Sequence, residues 1–398
     1  MLRTCRTILL LLAISVFSTI CCAESSAIKG SSGAARLNAR HGDVAGGESG
    51  DRPIVATRAK SPEGLWQRQT FTLINTAGND VVSGDFNNDG ISDIVYAGIE
   101  FYWGLQILLG DGHGSFVEKQ TDYEGNFLAE ADFNNDGNLD LAASLVAGVN
   151  LMLGNGDGTF QDAKLTTGCA NGKLTAADFD GDGFADLAVL GRQTVGICLG
   201  NGDGTFKPEI LLDYFSPEPR DLKSADFNMD GIPDLAIADD QSNSVNILLG
   251  LGDGKFQVFK KLPGGVKPTS LDVGDINGDG HPDIVTAANP YGYSTVFVLV
   301  GNGDGTFYFR GHIGQAHNAA LVRLMDVDGD GVLDVVQTRY TDFLEAVYIG
   351  NGDGSLQRSR QLESPLSYLP AIPGDFNGDG KLDMAIAGTQ VVYIYLRQ

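Results

Sequence analysis

The chain has 398 residues, 42% of them apolar, enough for a sizeable core and for two or three ordinary domains. Its 51 acidic against 27 basic residues give a formal net charge of −24, which disfavours nucleic acid or an anionic membrane as a partner.

Residues 1–23 read as a secretory signal: Arg3 and Arg6 form a basic start, Ile8 to Ile20 an apolar core, and Cys21-Cys22-Ala23 a small-residue exit. The core is shorter than a membrane span. A lipoprotein signal using Cys21 is the alternative. This segment places the protein outside the cytoplasm, whether secreted, periplasmic or on the cell surface. Residues 24–64 are rich in Gly, Ser and Ala and lack apolar periodicity, so they are expected to be a flexible linker.

The remainder, 65–398, is organised by one nonapeptide. Its first copy is Asp85-Phe86-Asn87-Asn88-Asp89-Gly90-Ile91-Ser92-Asp93. Oxygen-bearing side chains stand at positions 1, 3, 5 and 9, and Gly90 at position 6 lets the backbone double back. Further copies begin at Asp132, Asp178, Asp226, Asp275, Asp326 and Asp375, at steps of 47, 46, 48, 49, 51 and 49 residues. A second marker recurs in phase, an apolar run followed by a Gly-Asn-Gly-Asp-Gly-Thr-Phe turn, as at Leu153 to Phe160 and Leu199 to Phe206. A fixed period of this size means repeat architecture.

The third repeat shows what one unit contains. Leu174 to Phe179 leads into the Asp loop and Asp186 to Leu190 leads out; Val195 to Leu199 and Phe206 to Leu212 follow around the Gly turn. Four short β-rich runs separated by Gly/Asn/Asp turns are antiparallel strands, and four strands per unit make a propeller blade. Phe86, Phe133, Phe179, Phe227, Ile276, Val327 and Phe376 each follow the first Asp and are expected to pack between blades.

The last unit stops after its third run, Val391 to Leu396. Trp66 precedes Asp85 by 19 residues, the spacing of Phe256 to Asp275 and Phe307 to Asp326. The N-terminal run is therefore expected to supply the missing fourth strand and close an all-β, seven-bladed ring.

The loop Asp-x-Asn/Asp-x-Asp-Gly-x-x-Asp, an apolar strand and then Gly-Asn-Gly-Asp-Gly-Thr-Phe resemble the FG-GAP (VCBS) repeat family, which includes the propeller of integrin α subunits. The resemblance covers 65–398. It implies a propeller that binds calcium, in a family of adhesins, lectin-like modules and domains appended to enzymes.

Hard oxygen ligands without His or Cys favour calcium. The expected side-chain ligands are Asp85, Asn87, Asp89 and Asp93; Asp132, Asn134, Asp136 and Asp140; Asp178, Asp180, Asp182 and Asp186; Asp226, Asn228, Asp230 and Asp234; Asp275, Asn277, Asp279 and Asp283; Asp326, Asp328, Asp330 and Asp334; and Asp375, Asn377, Asp379 and Asp383. Position 12 is never Glu, which excludes EF-hands. The competing reading is a set of solvated Asx turns that bind nothing, but three like charges per hairpin repel without a cation. Up to seven structural Ca2+ are expected. Met229 stands where other loops carry Asn or Gly, which implies an awkward backbone angle there. Cys169 and Cys198, at opposite ends of neighbouring expected strands, read as two free packed thiols, leaving stability to calcium and packing.

Strand direction places the Asp loops and Gly turns on one face. The opposite connections vary most, and variable loops on a rigid scaffold are where binding usually sits. Their aromatic residues Tyr102, Trp103, Tyr123, Tyr214, Tyr291, Tyr293, Tyr340 and Tyr368 are candidate contacts for a glycan or a protein; the competing reading is that they cap the core. In integrin-like relatives the ligand likewise meets the face opposite calcium. No nucleophile elbow, zinc signature or phosphate loop occurs. The expected role is an extracellular binding or adhesion module without catalysis, expected to be monomeric, the alternatives being a glycan-active hydrolase or lyase with an axial site and a protein scaffold.

Overall fold

The computed structural model describes residues 52–398 apart from 54–56, 61–65, 73–77, 99–103, 168, 170–171, 215, 217, 289–292, 318, 340–343, 364–368 and 389–390. The expected signal, 1–23, lies outside the described residues.

The described residues form strands and turns without a helix. The strands make seven antiparallel sheets, one per repeat, arranged as a closed seven-bladed β-propeller. In the fourth blade the order is Pro219–Ala225, Asp234–Asp239, Ser244–Gly250 and Phe256–Pro263, from the axis outwards. The middle strands are buried on both faces, as in Asp186–Leu190 and Asp234–Asp239, because each sheet is covered by a blade on either side. This is why they read as continuous apolar runs and not as alternating ones.

The core is divided into seven buried clusters, one between each pair of adjacent blades. Phe86, Phe133, Phe179, Phe227 and Phe376 are fully buried in them, as their phase in the repeat predicts. Each stacks edge-on or tilted against the Phe that ends the Gly turn of the next blade: Phe133 on Phe206 with ring centroids 5.7 Å apart, Phe179 on Phe256 at 5.6 Å, Phe227 on Phe307 at 5.5 Å.

Ring closure follows the expected scheme. Strand Trp66–Thr72 pairs along its whole length with Val391–Arg397, from Trp66 opposite Arg397 to Thr72 opposite Val391. The seam is packed like any other interface, since Phe71, Phe116 and Phe376 share one cluster across it. Two short strands fall inside the stretch expected to be linker. Thr57–Lys60 pairs with Trp66–Thr72, and Arg52–Pro53 pairs with Phe116–Glu124. Both add main-chain bonds to outer edges that would otherwise stay open.

The innermost strands lack a β-partner on the axial side, and side chains stitch them to the next blade. Leu128 N donates to Asp80 Oδ2 at 3.0 Å, Leu271 N to Asp221 Oδ2 at 3.1 Å, and Leu324 N to Asp272 Oδ2 at 2.8 Å. Ser83 Oγ donates to Pro373 O at 2.7 Å across the first and last blades.

The cysteine expectation is corrected. Cys169 and Cys198 form a disulfide with Cα atoms 6.3 Å apart. Cys169 follows the outermost strand of the second blade, Lys164–Thr167, and Cys198 ends the third strand of the third blade, Val195–Cys198. Separation along strands of one sheet was the wrong measure, because face-to-face packing of two blades puts both sulfurs in one buried cluster. The bond therefore clamps two blades together. Closing a loop of sequence separation 29 corresponds to about 3–4 kcal/mol on the chain-entropy model. A C169A/C198A variant is expected to unfold at lower denaturant by about that much, and added reductant should shift the parent protein but not the variant.

Candidate metal centres

Each Asp loop is positioned by one buried carboxylate. Asp140, at position 9 of the second loop, has no solvent exposure. Its Oδ2 accepts from Phe133 N at 2.8 Å, at position 2 of the same loop, and its Oδ1 accepts from Gly154 N at 2.7 Å, in the Gly turn of the same blade. Asp93, Asp186, Asp234, Asp283 and Asp334 bridge the same two hairpins, Asp93 through Phe86 N and Gly110 N. Asp383 does so through Phe376 N and, in the unit that lacks a Gly turn, Arg397 N. Position 9 is thus an architectural latch in addition to its expected ligand role.

The rest of each loop is a nest of local hydrogen bonds. In the first, Asp85 accepts from Asp89 N at 3.1 Å and Gly90 N at 2.8 Å, Asn87 Oδ1 accepts from Asp89 N, and Asp89 Oδ1 accepts from Ile91 N at 2.8 Å. Asn87 Nδ2 donates to Asp89 Oδ2 at 2.9 Å, and the Asn of the second, fourth, fifth and seventh loops does the same. The turn is therefore preformed by its own Asx bonds, without needing the chain to refold around an ion. In the third and sixth loops, where position 3 is Asp, carboxylate oxygens of Asp178, Asp180 and Asp182, and of Asp326, Asp328 and Asp334, lie within 4.8 Å of one another.

Electrostatics mark the same places. Burial, reinforced by the neighbouring loop carboxylates and opposed by the two backbone donors, pushes Asp93 up to about 7 and Asp140, Asp186, Asp234, Asp283, Asp334 and Asp383 up to about 6. An all-oxygen donor set carrying this surplus negative charge fits a hard divalent cation. The third loop differs. Lys207, directly after the Phe of the Gly turn, places Nζ 3.0 Å from Asp180 Oδ2 and 3.2 Å from Asp182 Oδ2. An ammonium there offsets the negative charge that the extra Asp180 adds. Lys207 was missed in the sequence reading; its signal was a basic residue abutting the one Gly turn whose partner loop reads Asp-x-Asp-x-Asp with a Gly at each intervening turn position and Phe184 at position 7.

Met229 adopts the left-handed conformation expected from its place in the loop, with φ of +60°, alongside Asn88 and Asn135 at +58°. Its side chain stands in solvent and gains nothing in return. The Gly turns carry a stricter demand. Gly158 has φ of +74°, its N–H donates to Phe86 O of the preceding blade at 3.0 Å, and a Cβ there would lie 2.5 Å from Leu109 Cδ1.

The aromatic candidates divide. Tyr102, Trp103, Tyr291, Tyr340 and Tyr368 lie outside the described residues, and Tyr293 begins the strand Tyr293–Gly301. Tyr123 is half-buried against the cluster between the first two blades, its Oη donating to Phe160 O at 3.2 Å. Tyr214 packs on the cluster between the third and fourth blades. For these two the core-capping alternative describes their positions better than a free contact surface does.

Residues 85–143, 132–189, 178–236, 226–286 and 278–336 match the FG-GAP-like repeat, together more than half of the chain. The chain belongs to the FG-GAP-like repeat family. The seventh loop, from Asp375, lies beyond the matched segments but has the same hydrogen-bond pattern as the fifth. No curated protein matches the chain significantly. Among solved structures, this FG-GAP-like propeller is similar to a lectin of Agrocybe aegerita described as recognising non-reducing terminal N-acetylglucosamine, with a TM-score of 0.59 and 19% identity over 88% of this chain and 96% of that one. It is also similar to BBS1N in complex with ARL6DN, at TM-score 0.55 and 11% identity over 82% and 94% of the two chains. A putative 6-phosphogluconolactonase from Bacteroides uniformis superposes at TM-score 0.53 and 12% identity over 79% and 97%. At these identities the likeness is one of fold.

Two substitutions test the local account. Asp140→Ala strands two buried N–H donors and should destabilise the fold by about 2–5 kcal/mol, with Asp140→Asn, which keeps one acceptor oxygen, losing less in the same urea titration. Met229→Gly removes a left-handed side chain and should raise stability by up to about 1 kcal/mol, seen as a higher melting temperature.

Proposed function

We propose that this FG-GAP-like propeller is a secreted, calcium-stabilised module that binds an extracellular glycan or protein without chemistry. The observation that carries this reading is the division of labour between its faces. Every blade spends its repeated residues on one side, in preformed all-oxygen loops latched to Gly turns, and leaves the opposite connections to vary. Twenty-three Asp are committed to the loops, three in each of seven plus Asp180 and Asp328; seven Ca2+ would move the formal charge from −24 to −10. The acidity is then metal chemistry, with Lys207 competing at the third site.

Outer strands add aromatic surface. Phe259, Tyr308 and Phe309 are each 40–47% exposed, and Phe309 stacks on His312 with centroids 6.2 Å apart. Exposed rings of this kind suit sugar faces and protein hot spots alike. A glycan has a precedent in the Agrocybe aegerita lectin and a protein ligand in the BBS1N complex.

A second reading, a glycan-active enzyme with an axial site, is favoured by the acidic and basic side chains that line the channel and by the lactonase-like propeller neighbour. Turnover of a retained sugar, as opposed to retention alone, separates it from the first.

At millimolar calcium and a Kd of about 10⁻⁴ M, each occupied site adds about 1.4 kcal/mol. Chelation is therefore expected to lower the melting temperature by many degrees, and a melting curve identical in excess calcium and in EDTA would overturn the calcium assignment. The chain from residue 24, applied to a glycan and matrix-protein array with and without calcium, is expected to retain one ligand class only when calcium is present.

A further inference from the structure

The axis of the propeller is a cavity of about 630 Å³, within the range of small-molecule sites, lined by the innermost strands of all seven blades. Its charged side chains are of two kinds. Asp80, Asp221 and Asp272 are already engaged, each accepting a backbone N–H from the neighbouring blade, and Asp221 also accepts from Lys173 Nζ at 2.9 Å. These three hold the ring together.

Lys223, Arg323 and Glu130 have no comparable duty. Among the described residues, Lys223 Nζ makes no hydrogen bond or ion pair, and the Glu130 carboxyl accepts only from its own backbone N–H. The Arg323 guanidinium, with five donors, makes a single contact with Asp272 Oδ1 at 3.5 Å. Lys223 and Arg323 occupy the same register, three residues before the Asp loops of the fourth and sixth blades, with Asp272 between them in the fifth. Protein surrounds all three groups although the channel is open to solvent. Burial, with Arg323 as the next contributor, holds the Lys223 ammonium below its ordinary value, and burial pushes Glu130 up to about 7. The carboxylates that act on Lys223, Asp272 and Asp221, also serve Arg323 and Lys173, so this desolvated ammonium has no directly bonded partner of its own, which is costly and needs a reason.

We propose that the axial channel binds a small organic anion, its carboxylate or phosphate held between Lys223 and Arg323 and its hydroxyls facing Glu130 and Thr175. A ligand anion would give these two side chains a directly bonded counter-charge, beyond the through-space attraction of Asp272 and Asp221. The channel hydroxyls and Glu130, whose carboxyl burial pushes up towards neutral pH, supply hydrogen bonds to the rest of the ligand, which points to an acidic monosaccharide such as a uronate or a sugar phosphate. This site is separate from the variable face and does not depend on what that face binds.

Calcium-loaded protein is titrated by calorimetry and thermal shift with glucuronate, glucose 6-phosphate and inorganic phosphate, with glucose as the neutral control. At least one anion is expected to bind and raise the melting temperature while glucose does neither. Binding of inorganic phosphate would show that the anionic group suffices; binding of a sugar acid alone would show that the hydroxyls are read too. Lys223→Met is expected to weaken binding at least tenfold while leaving the ligand-free protein as stable as the parent or more so, because the substitution removes a desolvated charge whose counter-charges are shared with Lys173 and Arg323. Arg323→Met should weaken binding likewise. The proposal is overturned if no anion binds at 10 mM, if binding survives in Lys223→Met, or if that variant is less stable than the parent, which would make the lysine a balance for the acidic ring.

Discussion

The bond on which this propeller most depends joins a fully buried aspartate to two backbone N–H groups. In six blades the last Asp of the loop holds the hairpin between the first two strands against the hairpin between the last two, as Asp93 does through Phe86 N and Gly110 N, and in the seventh Asp383 reaches the C-terminal strand at Arg397 N. Without it the two turns of a blade would be independent, and the loop oxygens would have no fixed frame. Placing a carboxylate there raises its pKa, so the same residue that orders the site also creates the local excess of negative charge that a cation would relieve.

From that latch the structure propagates between blades. The Phe next to the first Asp turns its ring into the adjoining blade, while its carbonyl accepts the N–H of that blade's Gly turn, as Phe133 O does from Gly204 at 3.1 Å. Loop, turn and inter-blade contact are one unit of chemistry repeated round the ring, and the disulfide between Cys169 and Cys198 reinforces one of its joints. At the axis, where strands have no β-partner, aspartates take over the role of the missing neighbour. This leaves Lys223 and Glu130 without a bond to a neighbouring blade, and Arg323 with a single long one to Asp272.

Much of this was legible in the residues alone. The period, the position of Gly90 and its counterparts, the strand count per unit and the missing fourth strand at the C-terminus specified a closed seven-bladed ring, because local turn chemistry and strand patterning repeat in every unit and need no long-range information. Met229 could be recognised as strained for the same reason, since the backbone angle at a turn is a local property.

Tertiary structure decided what depends on one blade meeting the next. Cys169 and Cys198 look distant along the chain and along their strands, yet they join because sheets pack face to face. Tyr123 and Tyr214 look like free loop aromatics, yet they lie against inter-blade clusters. Lys207 reaches two loop carboxylates from a different hairpin. The axial charges appear in the sequence only as scattered polar residues in apolar strands, such as Lys223 between Leu222 and Ser224. Converging seven such strands on a common axis is what turns them into a lined cavity, and no single repeat encodes that convergence.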